Sequence, residues 1–366
     1  MARVIYIFSD RDNCLKKEKY GYDYLSKENI IKYYCISEFI PGFYNPYENF
    51  RDLFIKLKKI LSFRKDLIEK KYTHIVFALG YRKFFPTFLV LVVRACLPAR
   101  IKVIYLENNG FPSPKITLSL LNISFIIFSK INTILLFLSP QKNIFLSVNP
   151  TKKISKKGKK NIYLSLPNYD YDIYKDSLEK NKIQKKQNVI VFVDQMYTDH
   201  PDNKFSGLTN LDSEKYYDEV NCFLSALSIK YQKKIVICKH PKHSFSLAKQ
   251  RFKFPISNQK TFDEVFNSFC VVVHTSTAIN YPILLYKPIV LLRTSVHSIF
   301  HLEYLQEISK ILNIPITNSY EDIESQSKML KVIKKNYSIY IKKFITNSLN
   351  SPKSYSLISE YLKKYN

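Results

Sequence analysis

Glycine is scarce in this chain: six residues, at positions 21, 42, 80, 110, 158 and 207, serve all 366. No two stand close enough to build a dinucleotide fingerprint or a P-loop, both of which need neighbouring glycines so that backbone can approach a phosphate. A P-loop NTPase and a standard NAD-type protein are excluded. A nucleotide would have to be held by side chains and a helix N-terminus instead. Arginine is also rare, and the 57 basic residues are mostly lysine. Specific nucleic-acid readers use arginine for bidentate base contacts. The formal charge of +27 therefore points to an anionic membrane surface or a phosphorylated substrate, and not to nucleic acid. AT-rich codon usage accounts for part of that charge, since Lys, Ile, Asn, Tyr and Phe are abundant together.

None of the six cysteines (14, 35, 96, 222, 238 and 270) forms a CxxC. Most sit in apolar runs and read as small buried hydrophobes of a reducing compartment, not as disulfides or a zinc site. The opening MARVIYIFSDRD has no basic stretch followed by a long apolar core, so it does not read as a secretory signal. The most hydrophobic region, 116–138, is interrupted by Asn122, Ser124, Lys130, Asn132 and Thr133. A central lysine costs ~2.5–3.5 kcal/mol on insertion. A buried helix pair or an element lying on a membrane surface fits this region better than a span.

What the sequence does contain is strand–helix alternation. Strands are expected at Val4–Phe8, Ile31–Ile36, His74–Ala78 and Ile101–Leu106, with helical periodicity at Phe50–Leu61 and Thr87–Cys96. A basic run, TKKISKKGKK at 151–160, and a Lys/Gln-rich stretch ending near 187 separate these from a second set. That set has strands at Val189–Val193, Ile235–Cys238, Val271–Val273 and Ile289–Leu292. Its helices are Glu214–Tyr231, Thr261–Ser268 and Ala278–Leu285, and long helical patterns follow over His301–Leu312 and from about Glu321 to the end. The alternation implies two doubly wound α/β sheets with helices on both faces.

Chemistry-bearing residues gather where strands end. VVVHTSTAINYP places His274, Thr275, Ser276 and Thr277 between a buried strand and a helix. Hydroxyls there can cap the helix, or they can join its free N–H groups and partial positive charge in holding a phosphate. The preceding strand runs into Lys239-His240-Pro241-Lys242-His243, where Pro241 stops the strand. A phosphate clamp and a set of ordinary loop imidazoles are both open there. The first strand of the second set ends in VDQMYTDHPDN, with Asp194, Gln195, Tyr197, Asp199, His200 and Asp202; the spacing of Asp199, His200 and Asp202 matches no strong metal signature. In the first half Glu107-Asn108-Asn109-Gly110 follows a strand, and Glu107 can act as a general base or as a solvated capping residue. Asp10, Arg11 and Arg82 follow other strands of that half.

Together, the two Rossmann-like halves, the KHP motif and the HTST motif resemble bacterial GT-B glycosyltransferases of surface-polysaccharide assembly, sialyltransferase-like or Kdo-transferase-like. The resemblance implies GT-B architecture: an acceptor domain over 1–168, a nucleotide-sugar domain over 188–345, facing each other across a cleft, and a terminal helix over 346–366 packing back on the first domain. It implies transfer from a CMP-activated nonulosonic sugar, without a metal or other cofactor, to a glycan or lipid-linked glycan. Glu107 and His240 take the catalytic positions. Lys239, Pro241, His274, Thr275, Ser276, Thr277, Asp194 and His200 bind the donor, and Asp10, Arg11, Asn108 and Arg82 the acceptor. A second asparagine stands at 109, where a further acidic residue is frequent in the family. The basic surface and the 116–138 region imply a cytoplasmic enzyme held at the inner face of an anionic membrane. CDP-polyol phosphotransferases of teichoic-acid type and nucleotide-sugar 2-epimerases share this layout, and a non-catalytic binder of polyanions is the rival of another class.

Overall fold

The computed structural model describes residues 2–8, 22–35, 65, 69, 72–78, 100–106, 143–148, 161–180, 188–200, 203, 210–318 and 330–364. The helices expected at 50–61 and 87–96, the 116–138 region, the basic run at 151–160 and the residues Asp10, Arg11, Arg82, Glu107, Asn108 and Asp202 lie outside that set. The described chain forms two units, one of 2–169 with 346–364 and the other of 170–345.

The first unit is a six-stranded parallel sheet of β1 (Arg3–Phe8), β2 (Ile30–Cys35), β3 (His74–Ala78), β4 (Lys102–Leu106), β5 (Asn143–Ser147) and β6 (Asn161–Ser165). The strand order is β2-β1-β3-β4-β5-β6. Strands covered on both faces read as continuous apolar runs, and Val4, Ile5, Tyr6, Ile75, Val76, Val103, Ile104 and Tyr105 are all fully buried. The C-terminal helix Ser354–Lys364 belongs to this unit. Its Ile358 and Leu362 join Val4, Tyr6 and Ile104 in one core, and Ser359 Oγ donates to Glu28 at 2.7 Å.

The second unit is a five-stranded parallel sheet of β7 (Val189–Val193), β8 (Lys234–Cys238), β9 (Ser268–Val273), β10 (Ile289–Leu292) and β11 (Ile316–Thr317), in the order β11-β10-β9-β7-β8. Its pleat sorts the strand residues between two cores. Val193, Cys238, Val273 and Leu291 lie against the helices Asn280–Leu284 and Ile299–Leu312. Phe192, Ile237, Val272 and Leu292 lie against the helix Ser213–Tyr231. That last helix begins where Asp212 accepts the Lys215 N–H at 3.0 Å and ends at Gln232, which takes a left-handed φ of 50°.

Several local features differ from expectation. The segment expected as one helix over Ala278–Leu285 starts as a 3-10 turn, Thr277–Ile279, and becomes α-helical only over Asn280–Leu284. Tyr169–Glu179, within a stretch read as a boundary, is a helix with Asp170 and Asp172 in its first turn and Tyr171 buried in the core. Its polar composition hid a narrow apolar stripe. Strands β5 and β11 and the helix Phe245–Arg251 also went unanticipated, the helix because only seven residues carry its pattern.

Candidate functional site

The strand order of the second unit reverses at β7: β8 lies on one side of it and β9 on the other. Open α/β sheets bind ligands outside the carboxyl ends of the strands at such a switch point. Here it falls between the loop after β7, which carries Asp194 and Gln195, and the loop after β9, which carries His274 to Thr277.

The loop after β7 ties its neighbours together. Asp194 is buried, and its Oδ1 accepts the Met196 N–H at 2.7 Å. Its Oδ2 accepts from His243 Nδ1 at 2.7 Å and from the His240 backbone N–H at 3.3 Å. Met196 holds a left-handed φ of 53°, a conformation costing a non-glycine residue roughly 1–2 kcal/mol, and the Asp194 carboxylate holds this turn. On the other side, Gln195 Oε1 accepts the Thr275 N–H at 3.1 Å, and its Nε2 donates to Thr275 Oγ1 at 3.2 Å. One dipeptide therefore sets the position of both flanking loops.

In the loop after β8, Pro241 sits in a turn closed by His243 N–H to His240 O at 2.9 Å, and Lys239 Nζ donates to His243 O at 3.0 Å. His240 Nδ1 accepts the Lys242 N–H at 3.2 Å. That acceptance places the ring proton on Nε2, where it can be donated. Burial first, then the neighbouring His200, pushes the His240 pKa down to about 4, so the ring is neutral at pH 7. The His200 ring stands 5.1 Å away, edge to face. After β9, Ser276 Oγ accepts the Ala278 N–H at 3.2 Å, so this hydroxyl caps the turn, while Thr277 is exposed.

His274 differs from its expected role. It is fully buried: Nδ1 donates to Leu292 O, and Nε2 accepts from Tyr216 Oη at 3.0 Å. With both nitrogens engaged it fastens β9 to β10 and to the helix beneath, and offers nothing to a donor. Asp194 likewise acts on its neighbours and not on a ligand. Among the described residues no group of three His, Cys, Asp or Glu side chains is placed to hold a metal, and no helix is long and apolar enough to cross a membrane.

Register exposes a residue that motif reading passed over. Leu291 pairs with Val273, Val193 with Cys238, and Phe192 with Val272. Leu291, Val273, Val193 and Cys238 thus form one apolar row on one face. Two residues further along the chain from each, past the strand ends, stand Arg293, Thr275, Gln195 and His240. Arg293 is exposed, and its backbone N–H extends the pairing to Thr317 O at 2.9 Å. A lone arginine matches no motif; only the sheet shows that it follows the strand next to that of Thr275.

No family model matches the chain, and no curated protein does. Solved structures do. The ligand-free UGT2 of Phytolacca americana superposes with a TM-score of 0.53 at 10% identity, covering 100% of both chains. A variant of the wall teichoic acid polymerase TagF superposes with a TM-score of 0.51 at 13% identity, covering 99% of this chain and 88% of that one. The fold is the α/β fold of GT-B glycosyltransferases, built on two parallel sheets.

Proposed function

We propose that this chain is a glycosyltransferase that takes a sugar from a nucleotide-activated donor, with the donor phosphate at the carboxyl ends of β7, β8 and β9. The observation that carries the reading is the Asp194-Gln195 hub. It lies at the switch point of the sheet and holds the His240 loop on one side and the Thr275–Thr277 junction on the other. As the bond to the anomeric carbon breaks, negative charge grows on the leaving phosphate. His240 Nε2–H, the hydroxyls of Thr275 and Thr277 and the backbone N–H groups of the turn are its donors. Prearranged donors of this kind are worth about 10²–10³ in rate each. Glu107, following β4 in the chain, is the proposed base that takes the acceptor hydroxyl proton.

The donor proposed is a CMP-linked nonulosonic sugar, and the acceptor a glycan or lipid-linked glycan at the inner face of an anionic membrane, in keeping with the lysine excess. A second reading keeps the same phosphate site: transfer of a polyol phosphate from a CDP-linked donor, brought forward by the fold shared with TagF. A thermal-shift series with CMP, CDP, UDP and GDP tests both, because a ligand bound to the folded state raises its melting temperature. Cytidine nucleotides should stabilise most. Transfer that survives both His240→Ala and Glu107→Ala would remove this site from the reaction. Steep salt dependence with no nucleotide affinity would mark a polyanion binder instead.

A further inference from the structure

Arg293, Thr275, Gln195 and His240 each stand just past the end of one of four adjacent strands, two residues beyond a continuous apolar row. The intervening residues Leu292, His274, Asp194 and Lys239 alternate to the opposite face, as a pleat of period two requires. Leu292 accordingly joins the other core, and His274 bonds toward Tyr216 beneath it. The four members differ in charge. Thr275 and Gln195 are neutral and bonded to each other. His240 is uncharged at pH 7, since burial pushes it down to about 4. A guanidinium stays protonated throughout the physiological range. Arg293 is therefore the fixed positive charge of the four. It is exposed, and among the described residues no carboxylate neutralises it. Glu219, the acid bound to the same loop, is occupied by the backbone N–H and hydroxyl of Ser295.

Neighbouring parallel strands stand about 4.8 Å apart, and Thr275 and Arg293 follow two such neighbours, β9 and β10. A ligand phosphoryl at the Thr275–Thr277 turn would have its next anionic group, a few ångströms away, on the Arg293 side. We propose that Arg293 is a specificity-determining residue that holds a second anionic group of the donor, a phosphoryl or carboxylate oxyanion, while the His240 and Thr275–Thr277 side holds the first. The inference rests on the donor site proposed above. It adds that the substrate must be at least twice anionic, and that the guanidinium fork reads the second charge in bidentate fashion.

The test measures binding of three probes, CMP, CDP and CMP-N-acetylneuraminate, to the full chain and to Arg293→Gln by calorimetry. CMP carries one anionic group, CDP adds a phosphoryl, and the sugar nucleotide adds a carboxylate. Arg293→Gln should weaken the probe whose second anion the site accepts by about tenfold or more and leave CMP within about twofold. Loss on CDP alone identifies a phosphoryl, and loss on CMP-N-acetylneuraminate alone a carboxylate. Arg293→Lys, which keeps the charge without the fork, should fall between. Equal effects on all three probes, or none on any, would overturn the role given to Arg293 while leaving the donor site standing. Failure of the unaltered chain to bind any of the three would overturn both. The side chain is exposed, so the ligand-free melting temperature of Arg293→Gln should match the parent.

Discussion

His240 and His274 follow neighbouring parts of one sheet, and each stands just past the end of a buried strand. One is fully buried, with its proton on Nδ1 and both nitrogens bonded within the fold. The other keeps Nε2–H free because the Lys242 N–H occupies Nδ1. A single step along the pleat separates them: His274 is one residue past β9, and His240 is two residues past β8. An imidazole at an odd step turns into the core under the helix Ser213–Tyr231, and one at an even step stays on the rim where a ligand would sit. For imidazoles at strand ends, parity decides more than motif membership.

The contrast breaks most sharply at the residue that serves both loops. Asp194→Ala strips His243, the His240 N–H and the Met196 N–H of their acceptor at once. Removing one partner of a buried pair costs about 3–5 kcal/mol, which denaturant unfolding should register together with loss of donor binding. His274→Ala should cost about 3 kcal/mol by leaving Tyr216 Oη and Leu292 O unpartnered around a new cavity; the same measurement applies. His240→Ala should do the reverse, leaving stability within about 0.5 kcal/mol and lowering transfer about 10²-fold or more. A His240→Ala variant that unfolds as readily as His274→Ala would erase the distinction.

Acid tests the buried imidazoles. Burial depresses His274 to about 4, and burial with the His274 neighbour depresses His297 to about 2, against an ordinary value of 6.5. Above pH 6.5 these rings are neutral in the folded and unfolded chain alike. Below it the unfolded chain binds protons first, so stability falls as pH drops from 6.5 toward the folded values. His274 alone accounts for about 2 kcal/mol by pH 5, and a melting series in pH should lose that slope in His274→Ala. The smallest effect belongs to Gln195→Ala, which removes the tether to Thr275 and should cost about 1 kcal/mol, with a weaker donor affinity as the more sensitive readout.

Much of this was readable in advance. The strands β1, β3, β7, β8 and β10 announce themselves as short β-branched runs, and the helix Ser213–Tyr231 by its periodicity. The helix Tyr169–Glu179 did not, because four acidic residues and a lysine mask its buried Tyr171. Within the site, Lys239 to His243 and Thr275 to Thr277 were found because local chemistry marks them: a proline that ends a strand, and hydroxyls before a turn. Gln195 was marked only by its place at a strand end and Arg293 not at all, since an amide and a guanidinium carry no local signature; Gln195 draws its significance from Thr275, 80 positions away along the chain.

Composition and pattern settled the class of this protein. Too few glycines for a phosphate-wrapping loop, and strands alternating with helices, leave a doubly wound α/β chain without a P-loop or dinucleotide fingerprint. Strand order and register settled the rest. They place Asp194-Gln195 at the reversal point, turn His274 inward and leave His240 on the rim, and bring Arg293 to the end of the strand next to that of Thr275. Lateral pairing between strands far apart in sequence fixes which residues share a row, and no local preference encodes that pairing.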